Sequence, residues 1–276
     1  IDAYPEHALT QQALMGRATS LRRTGQAAAS IADVKRALSL PGDLSQVDLL
    51  YELGLAQIQK KDWKAVAQTF GQLVERVPDG ERADQYSYEL AWALKSDQQQ
   101  DAATAQFLDL ATRFPGSQHA AEANFHVAQR HYDQQDFKRA IEYYTNSLKT
   151  GQDRLLKEKA TYKLAWSHYQ QGDFQASQDG FAKQVAEFKE GPLYADGLFM
   201  VSESLYKLRD HDSAFQAYRV AKPVVDASSS VSPEVRHLTM LHGGQSANQA
   251  KQYREAIEFM NPIIEGQSEE RLKQDA

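Results

Sequence analysis

Cysteine is absent from the 276-residue sequence, which excludes thiol catalysis, disulfide bonds and zinc sites built on thiolates. The cellular compartment stays open, because many periplasmic proteins also lack cysteine. No run approaches the roughly 18 consecutive apolar residues of a membrane-spanning helix. The sequence starts at Ile1 without methionine, a basic stretch or an apolar stretch, so we expect a mature or excised soluble fragment with no transmembrane segment.

A concentration of positive charge is also missing. The net charge is −6, and lysine and arginine are dispersed along the chain and not gathered into a stripe. Nucleic-acid binders usually carry a clustered basic surface, so the sequence predicts no nucleic-acid partner. Hydrophobic residues make up 42% and charged residues 25%, which is ordinary globular composition with enough apolar residues for a sizeable core.

What the sequence does contain is an internal repeat. A small or branched residue is followed four positions later by an aromatic residue or methionine, a spacing that places both on one face of a helix. The first five pairs recur every 37 residues, and a small residue lies twelve positions before each pair. The pairs are Val66/Phe70, Ala103/Phe107, Ala140/Tyr144, Ser177/Phe181, Ala214/Tyr218 and Ala256/Met260. The preceding small residues, where an earlier helix would cross closely, are Gly54, Ala91, Ala128, Ala165, Ser202 and Gly244.

The segments KKDW, QQDF and QGDF separate the two predicted helices of three units. Asp62, Asp136 and Asp173 in these segments can accept a hydrogen bond from the free amides of the second helix. Pro78 and Pro115 end their units, because proline cannot continue a helix. Each unit is therefore predicted to be a pair of antiparallel helices.

The segments GLAQIQKKDWKAVAQTFGQLVERVP (54–78) and AWALKSDQQQDAATAQFLDLATRFP (91–115) resemble the tetratricopeptide repeat in their small residues, aromatic residues and closing proline. The resemblance extends over essentially the whole chain and implies an all-α fold, a right-handed α-solenoid of about seven helix-turn-helix units. The sequence departs from the family pattern in two ways. Trp92 and Trp166 fall at the ninth position of the unit and not the fourth, and the spacing is 37 residues where 34 is usual.

Units are predicted to begin near residues 11, 47, 84, 121, 158, 195 and 237, as a single array over 1–276. Residues 1–10 are interpreted as the tail of a preceding repeat, because Pro5 falls on the closing-proline position. A further unit would begin near residue 274, so we expect a slice of a longer protein.

The interval between the last two units is longer, 42 residues, and the excess lies in AKPVVDASSSVSPEV (221–235). We expect an irregular linker at 226–235 and a helix shortened by Pro223. A benign insertion and a hinge for the last unit are both compatible with this pattern.

The phrasing FPGSQHAAEANFHVAQRHYDQQDFKRAI (114–141) is most similar to bacterial cell-envelope members of the family, such as the periplasmic coordinator of the Tol-Pal system and the lipoprotein of outer-membrane barrel assembly. This resemblance implies a periplasmic or cell-envelope location. A cytoplasmic location is the alternative.

The histidines do not have the spacing of a metal site. His126 and His131 are five residues apart, whereas two imidazoles share one helix face at three or four. His131 and His168 occupy the same slot in successive units, which favours packing between the helices, and His119 is expected to be solvated. The adjacent residues 211–213 (His-Asp-Ser) cannot form the spatial relay of a catalytic triad. We therefore predict no catalytic residue, no metal and no cofactor, and hence no enzyme.

In proteins of this family the first helix of each unit lines a concave groove, and its second, fifth, ninth, twelfth and thirteenth positions point into the groove. Ten aromatic residues of this chain fall at the fifth, ninth and twelfth positions, and we call them the aromatic row: Tyr51, Tyr88, Trp92, Phe125, Tyr132, Tyr162, Trp166, Tyr169, Phe199 and Tyr206. Five half-exposed rings would present about 400–600 Å², enough for a functional patch. The rings could instead pack sideways against the neighbouring unit, and the two interpretations are compatible.

The resemblance and the aromatic row together predict a non-catalytic scaffold that binds a peptide or helix of another protein. One alternative is a structural spacer or self-assembly element of a larger protein. Another is an accessory protein associated with envelope glycan or peptidoglycan, because tryptophan and tyrosine also stack on sugars. Family members that clamp the carboxylate of a chaperone tail resemble one another in having lysine at the fifth position and asparagine at the ninth. This chain has neither, so a chaperone-tail clamp is not expected.

Overall fold

Helical periodicity and helix-ending residues divide the chain into α-helices joined by short turns. The computed structural model describes residues 9–189 and 191–274, with side chains as far as Gly266. In these residues it contains fourteen helices and no β-strand. The helices are α1 (Thr10–Arg23), α2 (Ala27–Ser39), α3 (Gln46–Lys60), α4 (Trp63–Arg76), α5 (Ala83–Ser96), α6 (Gln100–Arg113), α7 (Ala120–Asp133), α8 (Phe137–Thr150), α9 (Arg154–Gln170), α10 (Phe174–Glu187), α11 (Tyr194–Lys207), α12 (His211–Ala227), α13 (Pro233–Gln249) and α14 (Tyr253–Gln274).

Each odd-numbered helix is the first helix of a hairpin and the next even-numbered helix is the second. Five first helices begin one residue before the starts expected from the repeat register. The other two, α9 and α13, begin four residues earlier, because Asp153 and Ser232 accept hydrogen bonds from Leu156 N and Val235 N and so cap an additional turn. The interpretation of residues 1–10 as the tail of a repeat falls mostly on residues 1–8, which lie outside the described part of the chain.

The predicted aspartate caps are confirmed. Asp62 Oδ1 accepts from Ala65 N at 3.4 Å, Asp136 Oδ1 from Arg139 N at 3.2 Å, and Asp173 Oδ1 from Ala176 N at 3.1 Å. Asp210 caps α12 in the same way through Ser213 N. Each cap satisfies an amide that the first turn of a helix leaves without an intrahelical partner.

The predicted helix crossings are also confirmed. Ala91, Ala128, Ala165 and Ser202 are fully buried. A side chain at Gly54 would lie 2.5 Å from the ring of Phe70, so only glycine fits there. In the last hairpin the packing differs from the expected pair: Phe259 is buried, whereas Met260, one residue later, is only partly buried.

The turns inside the hairpins all contain one residue with left-handed backbone. Two of these residues are glycines, Gly25 and Gly172. The other five are Lys61, Gln98, Gln135, Arg209 and Lys251, with φ between 58° and 64°. Side chains other than glycine tolerate this region at a cost, so the packing of the two helices, more than local preference, holds these turns.

Pro223 does not shorten α12, contrary to the expectation from the sequence. Ala221 and Val225 on either side of it are completely buried, whereas Pro223 itself is exposed. The buried neighbours keep the helix in register to Ala227, and the proline ring faces solvent.

The linker predicted at 226–235 is consequently shorter, 228–232. Val231 in this linker is 3% exposed and belongs to the same apolar core as Val225. Arg236 Nη2 also donates a hydrogen bond to the carbonyl oxygen of Ser228. These contacts favour an insertion over a hinge.

The chain divides into two compact units, the first ending at Val127 and the second beginning at Ala128. The core of the first contains Leu14, Val34, Leu49, Phe70 and Leu73. The core of the second contains Phe181, Phe199, Met200, Tyr218 and Phe259.

Candidate functional site

All ten residues of the aromatic row lie on first helices, between α3 and α11. Nine of them are partly buried. The exception is Phe199, which is 5% exposed and packs in the core of the second unit. The expectation of a surface ring therefore does not apply to Phe199, because its ring lies against Tyr218 with centroids 6.4 Å apart.

Several of the other rings rest on aromatic residues of the second helices. In the first unit, Tyr51 contacts Phe70 with centroids 6.3 Å apart, and Trp92 contacts Phe107 at 6.1 Å. In the second unit, Tyr162 contacts Phe181 at 5.5 Å. These edge-to-face contacts fix the rings and leave part of each ring at the surface of the first helix.

The tyrosine hydroxyls connect neighbouring first helices. In the first unit, Tyr51 accepts a hydrogen bond of 2.8 Å from Gln85 Nε2, and Tyr88 donates one of 2.7 Å to Glu122 Oε2. Both bonds join the fifth position of one hairpin to the second position of the next. We call these contacts, and the related ones in the second unit, hydroxyl links.

A second register of hydroxyl links joins the twelfth position to the ninth position of the next hairpin. Both examples lie in the second unit. Tyr169 donates to Glu203 Oε1 at 3.3 Å, and Tyr206 donates to Gln245 Oε1 at 2.7 Å. Tyr51, Tyr88, Tyr169 and Tyr206 thus contact the neighbouring hairpin and remain partly exposed.

In the first unit, Glu122 is surrounded by a half-exposed polar cluster. His126 Nδ1 lies 2.9 Å from Lys95 Nζ, and since an ammonium can only donate, the imidazole proton must be on Nε2. That nitrogen lies 3.7 Å from Glu122 Oε1. His126 and Tyr88 lower the pKa of Glu122 against the effect of burial. Burial lowers the pKa of His126.

In the second unit, Glu203 is the centre of a more buried cluster. Glu203 Oε2 accepts a hydrogen bond of 2.7 Å from the Tyr218 hydroxyl and lies 2.8 Å from His242 Nδ1. These contacts add to its hydroxyl link with Tyr169. Its exposure is only 5%. Burial by itself would raise the pKa of Glu203, but His242, Tyr218 and the charge of Lys207 lower it.

Three further histidines, His119, His131 and His168, pack against or lie close to neighbouring side chains. His131 stacks on Tyr143 with centroids 5.5 Å apart, and His168 Nδ1 lies 3.6 Å from the capping residue Asp173. His119 was expected to be solvated, but it stacks on Tyr88 at 4.1 Å, because the linker brings it back over α5. Burial lowers the pKa of His119.

Within the described residues, no three or more histidine, aspartate or glutamate side chains gather in a way that could hold a metal ion. None of the helices in the same part of the chain combines the length and apolar character needed to cross a bilayer. The chemistry that this surface offers is hydrogen bonding, ring contact and charge pairing.

The sequence patterns did not single out Glu122, Glu203 or His242. The signal that could have found the two glutamates is their register, since they occupy the second and ninth positions that face a tyrosine of the preceding unit. His242 could not have been found this way, because it occupies the sixth position of its hairpin, which is not one of the positions expected to face the groove.

Comparison with known families identifies the repeat. Models described as "Tetratricopeptide repeat" match residues 48–80, 127–178 and 162–230. Tetratricopeptide repeats are thus present in both compact units, and the resemblance inferred from the sequence is supported at this level. A comparison with functionally curated proteins gives no match.

Solved structures share the fold, and two of those reported next are described as tetratricopeptide repeat proteins. A protein from Parabacteroides merdae is 12% identical with a TM-score of 0.56, and 93% of each chain is covered. The C-terminal part of a protein from Cytophaga hutchinsonii is 12% identical with a TM-score of 0.64, covering 91% of this chain and 94% of that one. MamA from Desulfovibrio magneticus is 14% identical with a TM-score of 0.52, covering 65% and 96%. The predicted fold class, an all-α helical repeat, is confirmed.

Proposed function

We propose that this chain is a non-catalytic scaffold that binds a peptide or helix of another protein on the first-helix faces of its hairpins. The observation that carries the proposal is the aromatic row. Four partly buried rings lie on first helices of the first unit and five on those of the second. Aromatic side chains held rigidly at a surface supply contact area at low entropic cost, which is why they dominate protein interfaces.

The environment of the rings also supports binding. Each indole or phenol of the aromatic row is held by a second-helix ring or by a hydroxyl link. These side chains therefore lose little conformational freedom when a partner binds. Preorganisation of this kind raises affinity by reducing the entropy lost on association. The proposal includes a location in the cell envelope. This part rests only on the similarity of residues 114–141 to bacterial cell-envelope members of the family.

The test is selection of binders from a random peptide library displayed on phage, followed by calorimetry with the selected peptides. Convergent peptides are expected, with affinity at least about tenfold weaker for Trp92→Ala or Tyr162→Ala, since a buried interface aromatic contributes more than about 1.4 kcal/mol. Tyr143→Ala is the matched control, because Tyr143 is also a partly buried tyrosine but lies on the second helix α8.

Unchanged affinity in both aromatic-row variants, with helicity retained in circular dichroism, would overturn the proposal. Failure of the selection, together with concentration-dependent self-association in light scattering, would favour a self-assembly element instead.

A further inference from the structure

Two partly buried carboxylates on first helices have no polar partner among the described residues. They are Glu89 on α5 and Asp196 on α11, which form no hydrogen bond or ion pair with any residue that the structure describes. Five other buried or partly buried carboxylates of the chain do have polar partners: Asp33, Glu52, Glu122, Glu158 and Glu203.

Glu89 lies within the aromatic row of the first unit. It follows Tyr88 directly and precedes Trp92 by three residues, a spacing that makes Glu89 and Trp92 neighbours on the helix surface. The rings of Tyr88 and Trp92 are 6.3 Å apart. Glu89 is thus adjacent along α5 to two aromatic residues, one of which carries an indole.

Asp196 has a similar setting in the second unit. It occupies the second position of its hairpin and faces Tyr162 of the preceding one, in the register that links Tyr88 to Glu122 in the first unit. Burial raises the pKa of Tyr162 to about 12, and the negative charge of Asp196 acts in the same direction. Aspartate is one methylene shorter than glutamate, and no hydroxyl link forms. Trp166 lies next to Tyr162, with centroids 6.4 Å apart.

Ionisation of Glu89 and of Asp196 is energetically unfavourable at their partly buried positions. Burial raises the pKa of Glu89 and of Asp196, and no neighbouring charge offsets it. An ionised group removed from water gains most from a partner of opposite charge. A ligand that brings a cation to these positions would therefore bind favourably.

We propose that Glu89 and Asp196 each receive a guanidinium group, an arginine side chain of the protein that binds on the same first-helix face. This inference rests on the proposed function and names the chemistry of the partner. A planar guanidinium can donate two hydrogen bonds to one carboxylate and at the same time lie against an aromatic ring. An ammonium group has the charge but not the planar face.

The test is a titration of the intact chain with N-acetyl-argininamide, observed in the nitrogen-15 spectrum through the indole signals of Trp92 and Trp166. N-acetyl-citrullinamide has nearly the same shape without the charge, so it serves as the matched ligand. The arginine probe is expected to shift both indole signals and to lower the pH midpoint of the Glu89 carboxyl carbon. The citrulline probe is expected to bind about tenfold more weakly, because it loses a charge-assisted hydrogen bond.

Variants separate the two sites. Glu89→Gln should remove the response of Trp92 and keep that of Trp166, whereas Asp196→Asn should do the reverse. Glu75→Gln, an exposed glutamate on α4, removes the same charge and should change neither response. Equal responses to both probes, or a Trp92 response retained in Glu89→Gln, would overturn the inference. A response of equal size to N-acetyl-lysinamide would overturn the guanidinium assignment.

The result can be distinguished from a failure of the proposed function. If selected peptides bind through the rings but the arginine probe gives no response, the scaffold function stands and the arginine inference fails. If no peptide is selected, the scaffold function fails, and the titration still reports on the two carboxylates independently.

Discussion

Glu122 in the first unit and Glu203 in the second perform the same task in different surroundings. Each carboxylate receives a tyrosine hydroxyl from the preceding hairpin. The side chain of Glu122 is 37% exposed, whereas that of Glu203 is 7% exposed and is also contacted by Tyr218 and His242. The same kind of link, formed in two different registers of the repeat, therefore gives a surface contact in one unit and a buried network in the other.

The difference shows which part of a repeat surface can serve a partner. A buried carboxylate with several donors is committed to stability, because removing it leaves its donors without an acceptor. A half-exposed carboxylate can replace its contact within the chain by a contact with a ligand at a lower cost in free energy.

The strongest test of this comparison is deletion of each carboxylate. Glu203→Ala is expected to lower the free energy of unfolding by about 3 kcal/mol, because Tyr169, Tyr218 and His242 lose their acceptor in a buried site. Glu122→Ala is expected to cost about 1 kcal/mol, since water can reach Tyr88 and His126. Urea unfolding followed by circular dichroism measures both, and equal losses would contradict the comparison.

Protonation of Glu203 at low pH should lower the free energy of unfolding by less than Glu203→Ala does, because a protonated glutamate still accepts hydrogen bonds. The pKa of Glu203 is lowered in the folded state, so its ionised form adds stability above the unfolded value of about 4.3. This stability should be lost as the pH falls through the folded-state pKa. The difference in stability between the wild type and Glu203→Gln should thus shrink on acidification.

For Glu89, the dependence of stability on pH should have the opposite sign. Its pKa is raised in the folded state, so ionisation costs stability as the pH rises through the unfolded value towards the folded one. Glu89→Gln should accordingly become more stable relative to the wild type as the pH rises from 4 to 7. A pH-independent difference would mean that Glu89 is solvated equally in both states.

Removing single hydroxyls should have effects of about 1 kcal/mol each. Tyr218→Phe is expected to cost more than Tyr88→Phe, because the Tyr218 hydroxyl is buried and bonded to Glu203, whereas the partner of Tyr88 is half-exposed. The same urea experiment measures both. If Tyr88→Phe were the more damaging change, the surface link would be the stronger one.

The smallest predicted effect is a gain. Asp196→Glu restores the side-chain length of Glu122 in the second unit, and its carboxylate should reach the Tyr162 hydroxyl. A new hydrogen bond of this kind is expected to add about 0.5–1 kcal/mol. A changed carbon-13 shift at Tyr162 Cζ would report the bond directly, and an unchanged shift would show that the register alone does not place the two groups.

Much of this fold could be predicted from local patterns. The 37-residue recurrence of small and aromatic residues is a packing requirement, since Gly54 and Ala165 lie where two helices touch. Asp62, Asp136 and Asp173 were identifiable as caps because capping depends on the next three residues only.

Features that depend on other hairpins could not be predicted in this way. The continuation of α12 through Pro223 depends on the burial of Ala221 and Val225 by residues distant in sequence. The stacking of His119 could not be predicted, because its partner, Tyr88, is 31 positions away. The polar partners of the aromatic row depend on contacts between hairpins, which helix periodicity does not reveal.

The regular spacing of the hydroxyl links bears on how such a chain can change its length. Tyr51 bonds to a residue 34 positions later, and so does Tyr88. If the 37 residues 84–120 were deleted as a block, Glu122 would take the place of Gln85 opposite Tyr51, and a donor would still meet an acceptor. Loss or duplication of a whole unit is therefore a change that preserves these contacts, whereas an insertion of a few residues inside a unit would break them.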